Sequence, residues 1–479
     1  MEMHVNFYRF RSIDALIGER QELQKQEVYF SAPEGLNDPI EGFKDLFWQG
    51  DHIVWRNLLR HYLVCLLKTI SIALIAGNDF KSAISRGLIF GDLPDAPIKN
   101  TYERICAAFF ANCDLERLPQ LIADCNYPFR RDDLEFILLA IHGIAFTLIF
   151  RIFREDKIIP QAESPPLDLP ASETTVDALK RTLTTIATNK DGLDADALRG
   201  LFSATAHVAR QSILIRYLSD SDISSRAWHS IFYSFPEWYV DHIGDLVFPD
   251  WYAACFVADP THAAMWGNYA DGHKGVCLHF RAEPNANGQP MLKIRGLRGV
   301  SGSQKGMVMN YGDLALTFDK MNYVANFEPI DFFRTIGRLP LPTLQSAWYT
   351  DAEGNVSECA GAVFSSEEQW RKQYWDSFSR HVNAKLNDWR HEDEYRLILT
   401  SALDLFSDAK DRKLTYRFSD LEGIVFGIRT RLEDKEQIIN IIRAKCNEHG
   451  RKAFTFSQAT YAPYSGRIEI LPLDLLRFE

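Results

Sequence analysis

The sequence predicts an α+β protein: a mixed β-sheet domain built from both chain ends and interrupted by a large all-helical insertion. Three observations carry this. Short aromatic and β-branched runs cluster before residue 50 and after residue 245. Between 51 and 235 the apolar residues instead recur at helical spacing. The composition, 46% hydrophobic and 13% aromatic over 479 residues, supplies apolar surface for more than one core.

At the N-terminus, HVNFYRF (4–10) reads as a strand, and Ser12 is placed to cap a helix through IDALIGERQELQ (13–24). EVYFS (27–31) is a second strand. LNDPIEG (36–42) is turn chemistry, because the proline disfavours helix at Asp38 while Asn and Gly suit tight backbone. Helical spacing then runs through VWRNLLRHYLVCLL (54–67), TYERICAAFFANC (101–113), VDALKRTLTTIAT (176–188) and ALRGLFSATAHVARQSILIRYL (197–218). The segment 160–175, rich in proline and acid, reads as a loop. Strands return in LVFPDWYAACFVAD (246–259), GVCLHFRA (275–282), EYRLILTSA (394–402) and GIVFGI (423–428). KEQIINIIRAKCNEH (435–449) reads as a helix, and RKAFTFSQATYAP and GRIEILPL close the chain as strands. The domain reading is therefore 1–50 joined with 245–479, and a helical insertion over 51–235.

Charge and cysteine usage bound the function. Lys plus Arg is 53 and Asp plus Glu is 64, a net charge of −11, which disfavours a broad nucleic-acid-binding face. The eight cysteines include no C-x-x-C pair, and no zinc spacing occurs, so no metal site is expected. With no basic-then-apolar leader at the start, these features point to a reduced, cytoplasmic setting. The apolar runs 62–77 and 136–150 fall short of the ~20 residues that span a bilayer and read as buried helices. GLRGVSGSQKG (296–306) matches neither phosphate-loop nor dinucleotide fingerprint and reads as a loop.

Two stretches carry chemistry. In WRHEDEYRLIL (389–399), read as one strand, Glu392, Glu394 and Arg396 share a face. Two carboxylates so close repel unless a cation sits opposite; Arg396 serves structurally, or the pair stands ready for a sugar hydroxyl or a developing positive charge. In MWGNYADGHKGVCLHF (265–280), Trp266 and Tyr269 are three apart, as on a helical turn. Asp271-Gly272 makes a turn, and His273 precedes a strand. Burial accounts for the two aromatics one at a time, whereas His273 and Lys274 at a strand entrance suggest the wall of a cleft. His279 reads as a structural histidine.

These residues resemble a bacterial family, the domain of unknown function twenty-nine seventy-one, often found beside or inside phage-defence genes. The resemblance rests on FYRF, YFSAPEGLNDPIE, the CF of AACFVAD, MWGNYADGHKGVCLHF, the W-x-x-E-x-E-Y-R-L from Trp389 to Leu397, and GIVFG at 423–427. It covers about 1–45 and 245–470 and leaves the helical block outside. The order of strands and motifs also looks like the arginine-serine-glutamate branch of the ADP-ribosyltransferase fold. That likeness implies NAD as a substrate, with Arg9 on its phosphates, Ser31 supporting the nicotinamide ribose and Glu394 holding the ribose 2′-hydroxyl. Glu392 would be the activating carboxylate, and Trp266 or Tyr269 would stack on nicotinamide; His273 joins the binding set as cleft wall. The target of modification would be a protein or a nucleic acid. The residues leave two other readings open. One is a non-catalytic module that senses a ligand or partner. The other is a metal-dependent nuclease using Asp38, Glu41 and Lys44 of NDPIEGFK.

Overall fold

The protein is described from a computed structural model, which covers residues 5–76, 96–159, 173–188, 195–219, 228, 230–303, 306–401 and 404–476. It is an α+β fold that divides into two compact units. One comprises 1–43, 249–327 and 377–479; the other comprises 44–248 and 328–376.

The first unit holds the mixed sheet. Its strands are β1 (Val5–Arg11), β2 (Glu27–Tyr29), β3 (Trp251–Val257), β4 (Val276–Pro284), β5 (Pro290–Ser303), β6 (Gly306–Thr317) and β7 (Asp319–Lys320). Further along come β8 (Asn322–Val324), β9 (Ala384–Leu386), β10 (Glu394–Thr400), β11 (Lys413–Tyr416), β12 (Leu421–Phe426), β13 (Thr455–Ala462) and β14 (Arg467–Pro472). Twelve of them form one sheet whose main path runs β14-β13-β12-β4-β1-β3-β10-β7, with β5, β6, β11 and β2 branching from β4; β8 and β9 pair separately. The first and last parts of the sequence are interleaved, because β1 lies between β3 and β4. β12 and β13 are parallel and joined by helix Leu432–His449, the connection that parallel neighbours require. Phe7, Ala254, Phe256, Leu278, Phe280, Leu397 and Leu399 alternate onto the buried face of the central strands and form the core.

Ser12 caps the helix Ile13–Ile17 through Ala15 N, but the helix ends at Gly18. A second short helix, Glu22–Lys25, follows, so the continuous helix expected over 13–24 is broken in two. The glycine-rich stretch 296–303 is strand, not loop: β5 ladders with β6 from Met291↔Thr317 to Ser303↔Gly306. Gly296 is there for packing, since a Cβ would stand 2.7 Å from the Leu414 side chain.

The second unit is mainly helical, with long helices His52–Ala76, Arg131–Glu155 and Ala195–Ser219 and shorter ones Ala96–Phe110 and Glu173–Thr188. The sequence reading put 328–376 with the sheet, whereas the contacts put it here. Asn57 Nδ2 donates to the carbonyls of Trp348 (2.9 Å) and Thr350 (3.1 Å), and Ile330–Asp331 pairs with Leu46–Phe47. Such ties depend on residues hundreds of positions apart and leave no local signature. Of the loop read at 160–175, residues 160–172 lie outside the described residues. Among the described residues two helices, His52–Ile75 and Arg131–Glu155, are long and apolar enough to cross a membrane, contrary to the shorter spans read from sequence; 61% and 67% of their most apolar windows are buried in the fold.

Deep in this unit Tyr62 Oη and His142 Nδ1 lie 2.6 Å apart. Burial lowers the His142 pKa to about 3, so the ring is neutral when folded. The unfolded chain therefore takes up the proton first. Stability of this unit should be intact above the ordinary histidine value of about 6.5 and fall as pH drops from there toward 3. Thermal unfolding across that range, compared with His142→Gln, checks the slope.

Candidate functional site

The sheet is split where the site forms. β1 and β4 are in register over their whole length, from Val5↔Ala282 to Arg11↔Val276, but β1 and β3 meet at one pair, Tyr8↔Val257. Past Tyr8 the two strands part. At the far end β3 is met by the bridge Ser31↔Ala253, with both backbone hydrogen bonds at 2.8 Å. A cavity of about 480 Å³ opens in this gap, a size usual for small-molecule sites. Arg9, Ser31, Tyr269, Glu392 and Glu394, drawn from four distant stretches of sequence, all line it.

Arg9 is buried and donates to two main-chain carbonyls, Tyr29 O at 3.0 Å and Cys255 O at 3.4 Å. Its guanidinium lies 5.3 Å from the Phe256 ring centre. Burial, then the neighbouring Arg11, lowers its pKa to about 10, so it is still a cation at neutral pH. Among the described residues it makes no ion pair, while Arg11 beside it pairs with Glu22. Arg20 also lines the cavity and is exposed. A buried arginine without a carboxylate partner, with a second arginine in the wall, leaves positive charge at this end of the cavity.

At the other end the charges are closely paired. Glu394 on β10 accepts from Arg396 Nε (2.7 Å) and Lys385 Nζ (2.9 Å). Glu392 accepts from Lys385 Nζ (2.6 Å), Tyr269 Oη (2.6 Å) and Asn37 Nδ2 (3.2 Å). Arg396 also donates to Glu41 Oε1 (2.7 Å). Every charged side chain of this ring is at most 3% exposed. Three carboxylates against two cations leave the ring one negative charge in excess.

Burial opposes ionisation of Glu394, but Arg396 and then Lys385 outweigh it and hold the carboxyl well below its usual range, at about 2. Lys385 is pushed up by Glu394 and Glu392 against its own burial, which keeps it an ammonium ion and unfit as an amine nucleophile. Burial and then Glu394 raise the Cys255 thiol, so this cavity cysteine is not a thiolate. Burial, followed by Glu392, likewise keeps Tyr269 protonated, as its hydrogen bond requires.

The acidic stretch differs from the single strand read in sequence. Residues Asn387–Glu392 form a 3₁₀ turn, Asp393 adopts φ +41° and the strand starts at Glu394. Asp tolerates that left-handed backbone, and Glu392 reaches the ring from the turn rather than from a strand face. Glu394 and Arg396 do share a face.

Two expected wall residues lie elsewhere. Trp266 is fully buried in helix Ala263–Tyr269, donates to Pro260 O at 2.7 Å and packs edge-on against Phe10. His273 sits at φ +70° in the following turn, where its carbonyl accepts from Arg429 N (2.9 Å). Neither lines the cavity. The helix turns Tyr269, not Trp266, toward Glu392. Lys385, Arg396, Glu41 and Arg20 complete the site. Of these, Lys385 left no signal, since an isolated lysine in AKL defaults to solvent.

The nuclease set does not assemble. Asp38 accepts from Ile40 N, Glu41 is held by Arg396, and Lys44 belongs to the other unit and donates to Gly244 O. Among the described residues no group of three or more acidic, histidine or cysteine side chains is disposed to hold a metal ion.

Fold and site together define a class: an α+β protein whose split sheet encloses a dipolar cavity, cationic at one end and net anionic at the other. No protein-family model matches the chain, and neither a curated protein nor a solved structure shows significant similarity to it.

Proposed function

We propose that the split-sheet unit is an ADP-ribosyltransferase-like site that uses NAD as its substrate, in an effector of bacterial phage defence or a toxin system. The observation that supports this reading is the meeting of Arg9, Ser31 and Glu394 in one cavity. NAD suits the polarity of that cavity. Its pyrophosphate is an anion for Arg9, and its nicotinamide ring is a cation for the ring's excess negative charge. Ser31 Oγ donates to Ala32 O at 3.2 Å and its oxygen remains available to a ribose hydroxyl. Gly35 leaves room for it, since a Cβ there would stand 2.7 Å from Ser31 Oγ.

In the reaction the bond from ribose C1′ to nicotinamide breaks, and its electron pair leaves with nicotinamide. Positive charge grows at C1′, where the fixed carboxylates of Glu392 and Glu394 stabilise it. Water or a nucleophile on a protein or nucleic-acid target then bonds to C1′ and gives up its proton to bulk water. With its pKa near 2, Glu394 is too weak a base to take that proton and acts through charge and hydrogen bonding.

A second reading has its own support. Both acids are already fully engaged by protein donors, which also suits the floor of a non-catalytic ligand- or partner-sensing pocket. Nicotinamide release from NAD, followed by chromatography with and without candidate targets, separates the two. Turnover supports the transferase. Binding of NAD with no turnover under any condition supports the sensor, and neither binding nor turnover removes both NAD readings.

A further inference from the structure

We infer that a second cavity, adjoining the first at Tyr29, takes the adenosine half of the dinucleotide, with Glu27 as the acceptor for its ribose hydroxyls. This rests on the NAD reading of the first cavity and says where the rest of that substrate lies. Small-molecule sites enclose most of their ligand, and a dinucleotide has two nucleosides to house.

The second cavity has a volume of about 230 Å³. Arg20 and Tyr29 line both cavities, and Glu22, Glu27, Ala409 and Lys413 complete the wall of the second. β2 and the Ser31 bridge after it set their order. Val28 and Phe30 belong to the core, so Glu27, Tyr29 and Ser31 alternate onto the opposite face. At two residues per step, Ser31 and Glu27 stand roughly 13 Å apart. Between them lies Tyr29, whose carbonyl holds the Arg9 guanidinium at 3.0 Å. A ribose at Ser31 and a pyrophosphate at Arg9 therefore lead on to a second ribose at Glu27.

The chemistry of this wall suits a nucleoside. Both oxygens of Glu22 are taken by Arg11. Glu27 is half-buried, and its side chain has no hydrogen-bond or ion-pair partner among the described residues. A free carboxylate accepts from the neighbouring 2′- and 3′-hydroxyls of a ribose. Tyr29 offers its ring to the base, steadied by Arg412, which lies 5.7 Å from the ring centre. Arg20, where the cavities meet, sets a second cation beside the phosphates.

Calorimetric titration of the full chain with NAD and with nicotinamide mononucleotide, which lacks the adenosine half, tests this. The wild type is expected to bind NAD at least about 10-fold tighter than the mononucleotide. Ala409 is exposed, so Ala409→Trp fills the second cavity without disturbing the core. It should bring NAD to the mononucleotide's affinity and leave the mononucleotide unchanged. Glu27→Gln should weaken NAD alone by about 10-fold. A wild type that binds NAD, with both variants binding it equally well, would overturn the inference and leave the NAD reading standing. A wild type that binds neither compound would overturn both.

Discussion

Replacing Lys385 by methionine is expected to destabilise the sheet-bearing unit by about 3–5 kcal/mol, the cost of breaking a buried ion pair by removing one partner. Lys385 Nζ is the donor shared by Glu392 (2.6 Å) and Glu394 (2.9 Å), and it lies 4.0 Å from Glu41. Without it, three carboxylates with side chains at most 3% exposed would face Arg396 alone. Methionine keeps most of the volume, so the loss reports charge rather than a cavity. Urea unfolding measures it. The companion variant Glu392→Gln, Lys385→Met removes one charge of each sign and should recover part of the loss. A double-mutant cycle with no coupling would show that the ring does not act as a unit. Acid works in the same direction. The Glu394 carboxyl has a folded value near 2, below its unfolded one, so its contribution is complete at neutral pH and fades as pH falls from about 5 toward 2.

The second large effect is on turnover. Glu394→Gln keeps the shape and a hydrogen-bond acceptor for Arg396 but removes the negative charge beside the reacting carbon. A lost electrostatic stabiliser in a desolvated site lowers turnover by about 10²–10³-fold. NAD binding should weaken far less, because in the proposed mode the pyrophosphate meets Arg9 rather than Glu394. Nicotinamide release under saturating NAD, with circular dichroism as the check on folding, gives the comparison. If Glu394→Gln turned over NAD as fast as the wild type, the carboxylate would have no part in the chemistry.

Much of the fold was legible because its elements are locally consistent. Strands such as Val276–Pro284 and Glu394–Thr400 announce themselves through alternation and bounding turns, and helix Leu432–His449 through its apolar spacing. What was not legible depended on distant contacts. Gly296 looked like loop chemistry because the Leu414 side chain that excludes a Cβ lies more than a hundred residues away. Segment 328–376 read as part of the sheet domain, because the bonds from Asn57 to the carbonyls of Trp348 and Thr350 that tie it to the helical unit leave no local signature.

The site shows the same division. The two glutamates were readable from the residues, since paired acids inside a strand pattern break a local rule, whereas Arg9, Ser31 and a stacking role for Tyr269 came only with the likeness to the ADP-ribosyltransferase fold. Trp266 and Tyr269, three apart, are indistinguishable by spacing, and only the packing of Phe10 decides which one is core. Lys385 was missed because its burial follows from the acids around it, which come from two stretches about 350 residues apart. The split between β1 and β3 is likewise invisible in either strand alone, as it is a property of their register.

Calorimetric titration of NAD into the full chain and into Arg9→Met is the most direct test of the central claim, that the gap between β1 and β3 is built for an anionic dinucleotide. The wild type should bind with one site per chain. Loss of a buried charge-assisted contact should weaken Arg9→Met by roughly 10–100-fold, on the order of 1.5–3 kcal/mol. No heat of binding in the wild type, or equal affinity in both proteins, would contradict it.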